Sequence, residues 1–337
     1  MSNIVIKRVE NKKDLRTFID FHYDLYAGNA YDVPNLYSDE FNTLSRDRNA
    51  AFDFCEAEYY LAYRAGRLVG RVAAIINHRA NERWDRQDVR FGWIDFVDDI
   101  EVTRALLQAV EDYGREKGMK SIVGPLGFTD MDPEGMLTMG FDKLGTMPTI
   151  YNYPYYPEHM ERLEGWSKDN DYVEYFLEVP DQIPEKYSKI AQMIEKRYNL
   201  HVRKLTRKDI FKGGYGRKLF ELVNETYKDL YGFSELTDRQ IEQYIKMYLP
   251  LADLSLITVI EDGNNDNKMA GMGITIPSLS RALQKCRRGR LFPFGWYHLL
   301  RAIKFHKTEG VDLLVLLSLL ILIFFCPCSS APCQQES

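Results

Sequence analysis

Apolar and polar positions follow one repeating order along this chain. Residues 4–9, IVIKRV, alternate with the period of a strand. NKKDLRTFIDFHYDLY then carries Leu15, Phe18, Ile19 and Tyr23 at helical spacing. EYYLAYRAGRLVGRVAAII reads as strand, turn, strand, with Ala65-Gly66 at the turn because glycine admits positive φ. VRFGWIDFV is a further strand. DIEVTRALLQAVEDYGREKG is an amphipathic helix stopped at Gly118. KSIVGPLGF is a strand that ends in a Gly-Pro break.

The second half repeats this order. LHVRKLT is a strand, and an interrupted helical stretch runs from Lys208 to about Leu251. Two strands flank a polar turn within 254–277. FGWYHLLRAIKFHKTEG is a helix closed by Gly310, and VDLLVL falls where WIDFV fell earlier. The pattern predicts an α/β chain of two tandem, related domains, each a mixed central sheet flanked by helices. The expected divisions are 1–180, with 124–163 as a connector bordering a cleft, then an incomplete 181–316, then a tail, 317–337.

Composition narrows the reading. A chain of 337 residues, 45% hydrophobic and 28% charged, is ordinary globular protein. A net charge of −5 offers nothing built for phosphate backbones, so no nucleic acid partner is expected. MSNIVIKRVENKKDL has no apolar signal-peptide core, which makes the cytoplasm the default compartment. Cys55 and Cys286 lie far apart and read as free thiols. Cys326, Cys328 and Cys333 lack zinc-knuckle spacing, so no metal is assigned. H-E-x-x-H and G-x-S-x-G are both missing, which removes support for zinc proteases and serine hydrolases.

The order strand, helix, strand–turn–strand, strand, helix, strand resembles the GNAT acyltransferase fold, and its repetition resembles double-GNAT proteins. The segment GPLGFTDMDPEGMLTMGFDKLGTMPTIYNYPYYPEHMERL, 124–163, is similar to an uncharacterised bacterial group of GNAT-like proteins. The resemblance ends near Val315. It implies acyl transfer from an acyl-CoA, acetyl-CoA or another, to a small-molecule amine. It also implies a glycine-rich loop between the fourth strand and the next helix, whose N–H groups hold the pyrophosphate. The first domain departs from that pattern. Asp98, Asp99, Ile100 and Glu101 follow WIDFV with no glycine, and carboxylates repel phosphates. The family's thiolate-protonating tyrosine is also unmatched, with Met160 and Glu161 at that place.

Candidate residues follow. Tyr151, Asn152, Tyr153, Tyr155 and Tyr156 read as the wall of an acceptor pocket between the domains, or else as rings covering an interface. Asp130 and Glu134 are candidate general bases, with Tyr156 a further catalytic candidate. The alternative makes Asp132-Pro133-Glu134-Gly135 a surface turn. RALQKCRRGR holds five basic residues, and Arg287 and Arg288 are candidates to guide CoA, against a solvated charged face. KGGYGRK reads as a helix junction.

After VDLLVL the chain continues LSLLILIFFCPCSSAPCQQES, with no glycine-rich loop. It reads as an aberrant end grafted onto a strand. Leu313–Cys326 would span only about 21 Å as a helix, short of a hydrocarbon core of roughly 30 Å. Membrane contact would therefore run only through 313–328. The expected function is N-acyl transfer to an amine, impaired by loss of the CoA loop. The alternatives are a non-catalytic small-molecule-binding module of the same fold, or a tail-anchored protein.

Overall fold

A computed structural model describes residues 3–250 and 252–318. The chain forms two compact units. One comprises Met1–Val173, Tyr231–Ser234 and Pro277–Gly310, and the other Glu174–Leu230, Glu235–Ile276 and Val311–Ser337.

The first unit opens with β1 (Ile4–Arg8), α1 (Lys12–Leu25), α2 (Tyr37–Leu44), β2 (Cys55–Arg64), β3 (Arg67–Asn77) and α3 (His78–Arg83). It continues with β4 (Asp88–Phe96), α4 (Ile100–Glu116), β5 (Ser121–Val123) and α5 (Tyr155–Glu161). Its sheet runs β1-β2-β3-β4-β5, antiparallel until β4 meets β5 in parallel. The second unit holds α6 (Glu185–Tyr198), β6 (Leu200–Arg203), α7 (Arg207–Phe211), α8 (Tyr215–Tyr227), α9 (Asp238–Tyr248), β7 (Ile257–Asp262) and β8 (Lys268–Pro277). Next in the chain come α10 (Ser280–Gln284) and α11 (Gly295–Phe305), which belong to the first unit, and then β9 (Val311–Ser318) of the second. The second sheet runs β6-β7-β8-β9.

Both sheets thus place their strands in the same order, and the fold is α/β, with two sheets flanked by helices. The second sheet has four strands among the described residues, against five in the first. The expectation of an aberrant or anchoring tail falls mostly outside the described residues. Within them, Val311–Ser318 is a strand. No helix among the described residues is long and apolar enough to cross a membrane.

The first core follows from strand alternation. Val72, Ala74 and Ile76 cluster with Phe91 and Phe96 of β4 against Val102, Leu106 and Val110 of α4. Ala73 and Ile75 face the other way, onto Phe18 and Ile19 of α1. With both faces covered, β3 is buried from Val69 to Asn77, including Arg71, the one charge in that stretch. The hairpin turn has φ of +48° at Ala65 and +78° at Gly66, the two left-handed residues that a two-residue hairpin favours. β5 is shorter than KSIVGPLGF suggests. Pro125 has no N–H for a ladder, and the chain turns away after Leu126 N donates to Phe91 O at 2.8 Å.

Candidate functional site

A bulge in β4 shapes the site. Ala73 pairs with Gly92 and Arg71 with Asp95, so β4 spends one extra residue between those pairs. Trp93 takes it up at φ +45°. Bulges re-aim side chains in this way. The bulge also sets Arg71 opposite Asp95 across the ladder. On the other side of β4, pairing with β5 ends at Arg90 and Val123, and the sheet opens there. A cavity of about 110 Å³ occupies the opening. Its walls come from Trp93, Ile94 and Asp95 of β4, from Ile19, His22 and Tyr23 of α1, and from Asp32 and Glu40. Pro125, Pro133, Gly135 and Met136 of the departing segment close it, with Tyr151, Asn152 and Tyr156. All of these residues belong to the first unit.

Buried and half-buried charges at the site form a connected set. Arg71 Nε donates to Asp95 Oδ2 at 2.8 Å, and Arg71 Nη1 donates to Phe18 O at 3.0 Å. His22 Nδ1 lies 3.1 Å from Asp95 Oδ2. Tyr156 Oη donates to Asp95 Oδ1 at 3.1 Å, accepts from Phe96 N at 3.1 Å, and accepts from Tyr26 Oη at 3.0 Å. Burial pushes Asp95 upward, but Arg71 and His22 outweigh it and hold the carboxylate below its usual range. Burial pulls His22 down, yet Asp95 and Asp32 outweigh that and raise it above an ordinary imidazole. Asp32 is raised by burial. Tyr156 is raised well above an ordinary phenol by burial and then by Asp95.

The residues singled out from sequence land unequally. Tyr151, Asn152 and Tyr156 line the cavity, but their polar atoms serve the fold. Tyr151 Oη donates to Phe141 O at 3.0 Å. Asn152 clamps residue 137 through Leu137 N at 2.6 Å and Leu137 O at 3.0 Å. Tyr153 and Tyr155 lie outside the lining. They stack on each other, and their hydroxyls donate to Leu25 O at 3.2 Å and Phe96 O at 2.7 Å.

Asp130 and Glu134 are absent from the cavity wall although Pro133 and Gly135 are part of it. They form a separate partly buried group near Arg90 and Tyr172. Burial, and next the Asp130 charge, push Glu134 up to about 8. Asp130 Oδ2 and Glu134 Oε1 are buried without a hydrogen bond. Asp132 is pushed up to about 7 by burial, and its Oδ2 accepts from Thr129 N at 3.1 Å. Arg288 is bound to the carboxylates of Asp20 and Asp24, while Arg287 is exposed.

His22, Asp32, Glu40, Arg71, Trp93 and Asp95 were not among the sequence candidates. A signal existed for two of them. RVAAII and WIDF each carry one charge within a buried strand, and such charges occur in pairs.

The β4–α4 junction tests the implied acyl-CoA. Asp99 caps α4, accepting from Glu101 N at 3.1 Å, and pairs with Arg64. Asp98 lies 3.1 Å from His159 Nε2. The helix N-terminus that would meet a pyrophosphate already has its own carboxylate, with a second beside it. These residues do not fit the group.

No protein-family model matches the chain. The chain is similar to the bacterial ceramide synthase of Caulobacter vibrioides (strain NA1000 / CB15N), 28% identical over 317 residues that cover 90% of this chain and 76% of that protein. It is 27% identical over 304 residues to protein YghO of Escherichia coli (strain K12), covering 89% and 75%. A solved tandem GNAT protein from the clavulanic acid biosynthesis pathway aligns at TM-score 0.44 and 12% identity, over 81% of this chain and 74% of that one.

Proposed function

We propose that the first unit is the acceptor-binding half of an N-acyltransferase, its β4–β5 cavity taking an amine. The carrying observation is the cavity itself. It opens where β4 leaves β5, and its wall holds three carboxylates, Asp32, Glu40 and Asp95, against two basic side chains, Arg71 and His22. That excess of negative charge suits an ammonium head. The relative named a ceramide synthase supports the same class, because a ceramide is the amide of a long-chain amino alcohol. In such a transfer a C–N bond replaces a thioester C–S bond, and the amine proton balances the departing thiolate. The first unit gives the donor no phosphate grip, so the donor chemistry is assigned to no residue here.

The test supplies a donor that needs no such grip. The full chain is incubated with primary amines, including a long-chain amino alcohol, and a short acyl thioester lacking nucleotide. The expected result is amide product by mass spectrometry, with acyl-CoA no better as donor than the short thioester. No amide above background with any amine would overturn the reading.

The capped α4 terminus favours a second reading, a binding module of the same fold that keeps the cavity without the transfer. Amine binding without amide formation would select it.

A further inference from the structure

The cavity charges are not equally satisfied. Asp95 is fully engaged by Arg71, His22 and Tyr156. Among the described residues, Glu40 accepts from neutral donors, Trp93 Nε1 at 3.0 Å and Asn35 Nδ2 at 2.9 Å. Asp32 is the exception. Its side chain is only 9% exposed and faces the cavity, yet its carboxylate has no hydrogen bond among the described residues. Among the described residues, its charged neighbour within ion-pair range is His22 Nε2, at 3.7 Å. A buried carboxylate without donors is costly to keep, and here the missing donors would come from whatever fills the cavity.

With His22 protonated, the wall carries three negative and two positive charges, so one monovalent cation neutralises it. Arg71 and His22 are already held on Asp95, which leaves Asp32 to meet that cation. Glu40 adds a second negative charge to the same wall, and its two neutral donors leave that charge uncompensated. His22 Nδ1 is directed at Asp95 at 3.1 Å, and its Nε2 stays 3.7 Å from Asp32, beyond hydrogen-bond range.

We propose that Asp32 is the specificity-determining residue of this cavity, the anchor that selects a singly charged ammonium over a neutral group of the same shape. This rests on the amine-acceptor reading above and deepens it. Arg71 and His22 hydrogen-bond Asp95 and so fix the charge of the wall. Asp32 supplies the unsatisfied acceptor. An ammonium donates to it directly, in a charge-assisted hydrogen bond of the stronger kind. An alcohol of equal size offers one weaker donor and leaves the net charge of the wall unbalanced.

The test measures binding of butylamine and of butan-1-ol to the full chain by ligand-observed NMR. Potassium and magnesium chloride serve as separate competitors. The wild type is expected to favour the amine by at least about tenfold, and Asp32→Asn to reduce that preference to within about twofold. Glu40→Gln should lower it partially. Equal binding of amine and alcohol to the wild type overturns the inference while leaving the acceptor pocket standing. Failure of both ligands to bind removes the acceptor reading itself. Displacement of butylamine by magnesium but not potassium would make the site one for a divalent ion, and would also overturn the inference. The wild-type comparison holds whether or not a variant folds, and a thermal melt of each variant separates lost selectivity from lost structure.

Discussion

Tyr156 donates to Asp95 at 3.1 Å, from α5 to β4, and so ties the segment after the open sheet edge back to the charged centre of the site. The same hydroxyl accepts from Phe96 N and from Tyr26 Oη. One oxygen thus satisfies a buried backbone N–H and a buried phenol while donating to a carboxylate. Its role is to hold the wall in place.

Tyr156→Phe keeps the ring and its stacking on Phe96 but deletes all three bonds. It should cost about 1–3 kcal/mol, the usual penalty for leaving buried partners unsatisfied. Urea unfolding of the variant and wild type measures it. A midpoint shift too small to register would mean that water takes over the hydroxyl's bonds.

Arg71→Ala should cost more. The guanidinium and Asp95 are almost fully buried, with side-chain exposures of 4% and 7%. Removing the cation strands a carboxylate, and breaking such pairs typically costs about 3–5 kcal/mol. Arg71→Met combined with Asp95→Leu should recover part of that loss. Thermal melting of the single and double variants reads the difference.

Stability should fall as pH rises from the ordinary carboxylate range to above neutrality. Asp132 and Glu134 titrate near 7 and 8 in the folded chain, against 3.8 and 4.5 ordinarily. Between those values the folded state holds protons that the unfolded chain releases, so each step up in pH favours unfolding. His22 acts in the same direction. Its raised value contributes stability that is complete below about 6.5 and is lost as pH passes its folded pKa. Asp95 acts oppositely, but only in acid, because its lowered value is lost as pH falls through it. Melting temperatures at pH 5, 7 and 9 should therefore decline in order. Asp132→Asn should flatten the pH 5 to 7 step, and a profile that rises instead would contradict these assignments.

Much of the fold was legible in the sequence. IVIKRV, the Ala65-Gly66 turn and the α4 periodicity fix themselves locally, and each formed where its pattern placed it. The site was less legible because it depends on pairing. Arg71 and Asp95 are 24 positions apart, and only the bulge at Trp93 sets them opposite each other. Tyr153 and Tyr155 belong to the conspicuous tyrosine cluster, but their hydroxyls are taken by backbone carbonyls. Asp32 stands in a loop with no period to mark it, and its burial depends on surrounding α1, β4 and the 149–152 segment. Asp98 and Asp99 were readable because helix capping is a local matter.

Gly92→Ala probes the opened sheet directly. A Cβ there would lie 2.4 Å from Leu126 O, a backbone atom that cannot swing aside. The variant should force β4 and residues 124–126 apart, destabilising by about 1–3 kcal/mol in the manner of an overpacked core. Hydrogen exchange at Leu126 N, bonded to Phe91 O, should accelerate in step.

The central claim is that the first unit holds an acceptor amine and does not hold the donor's phosphates at α4. Calorimetric titration of the full chain with butylamine, repeated in saturating acetyl-CoA, tests it most directly. The account predicts saturable one-to-one binding of the amine that acetyl-CoA leaves unchanged. No amine binding, or competition between acetyl-CoA and the amine for the same cavity, would contradict it.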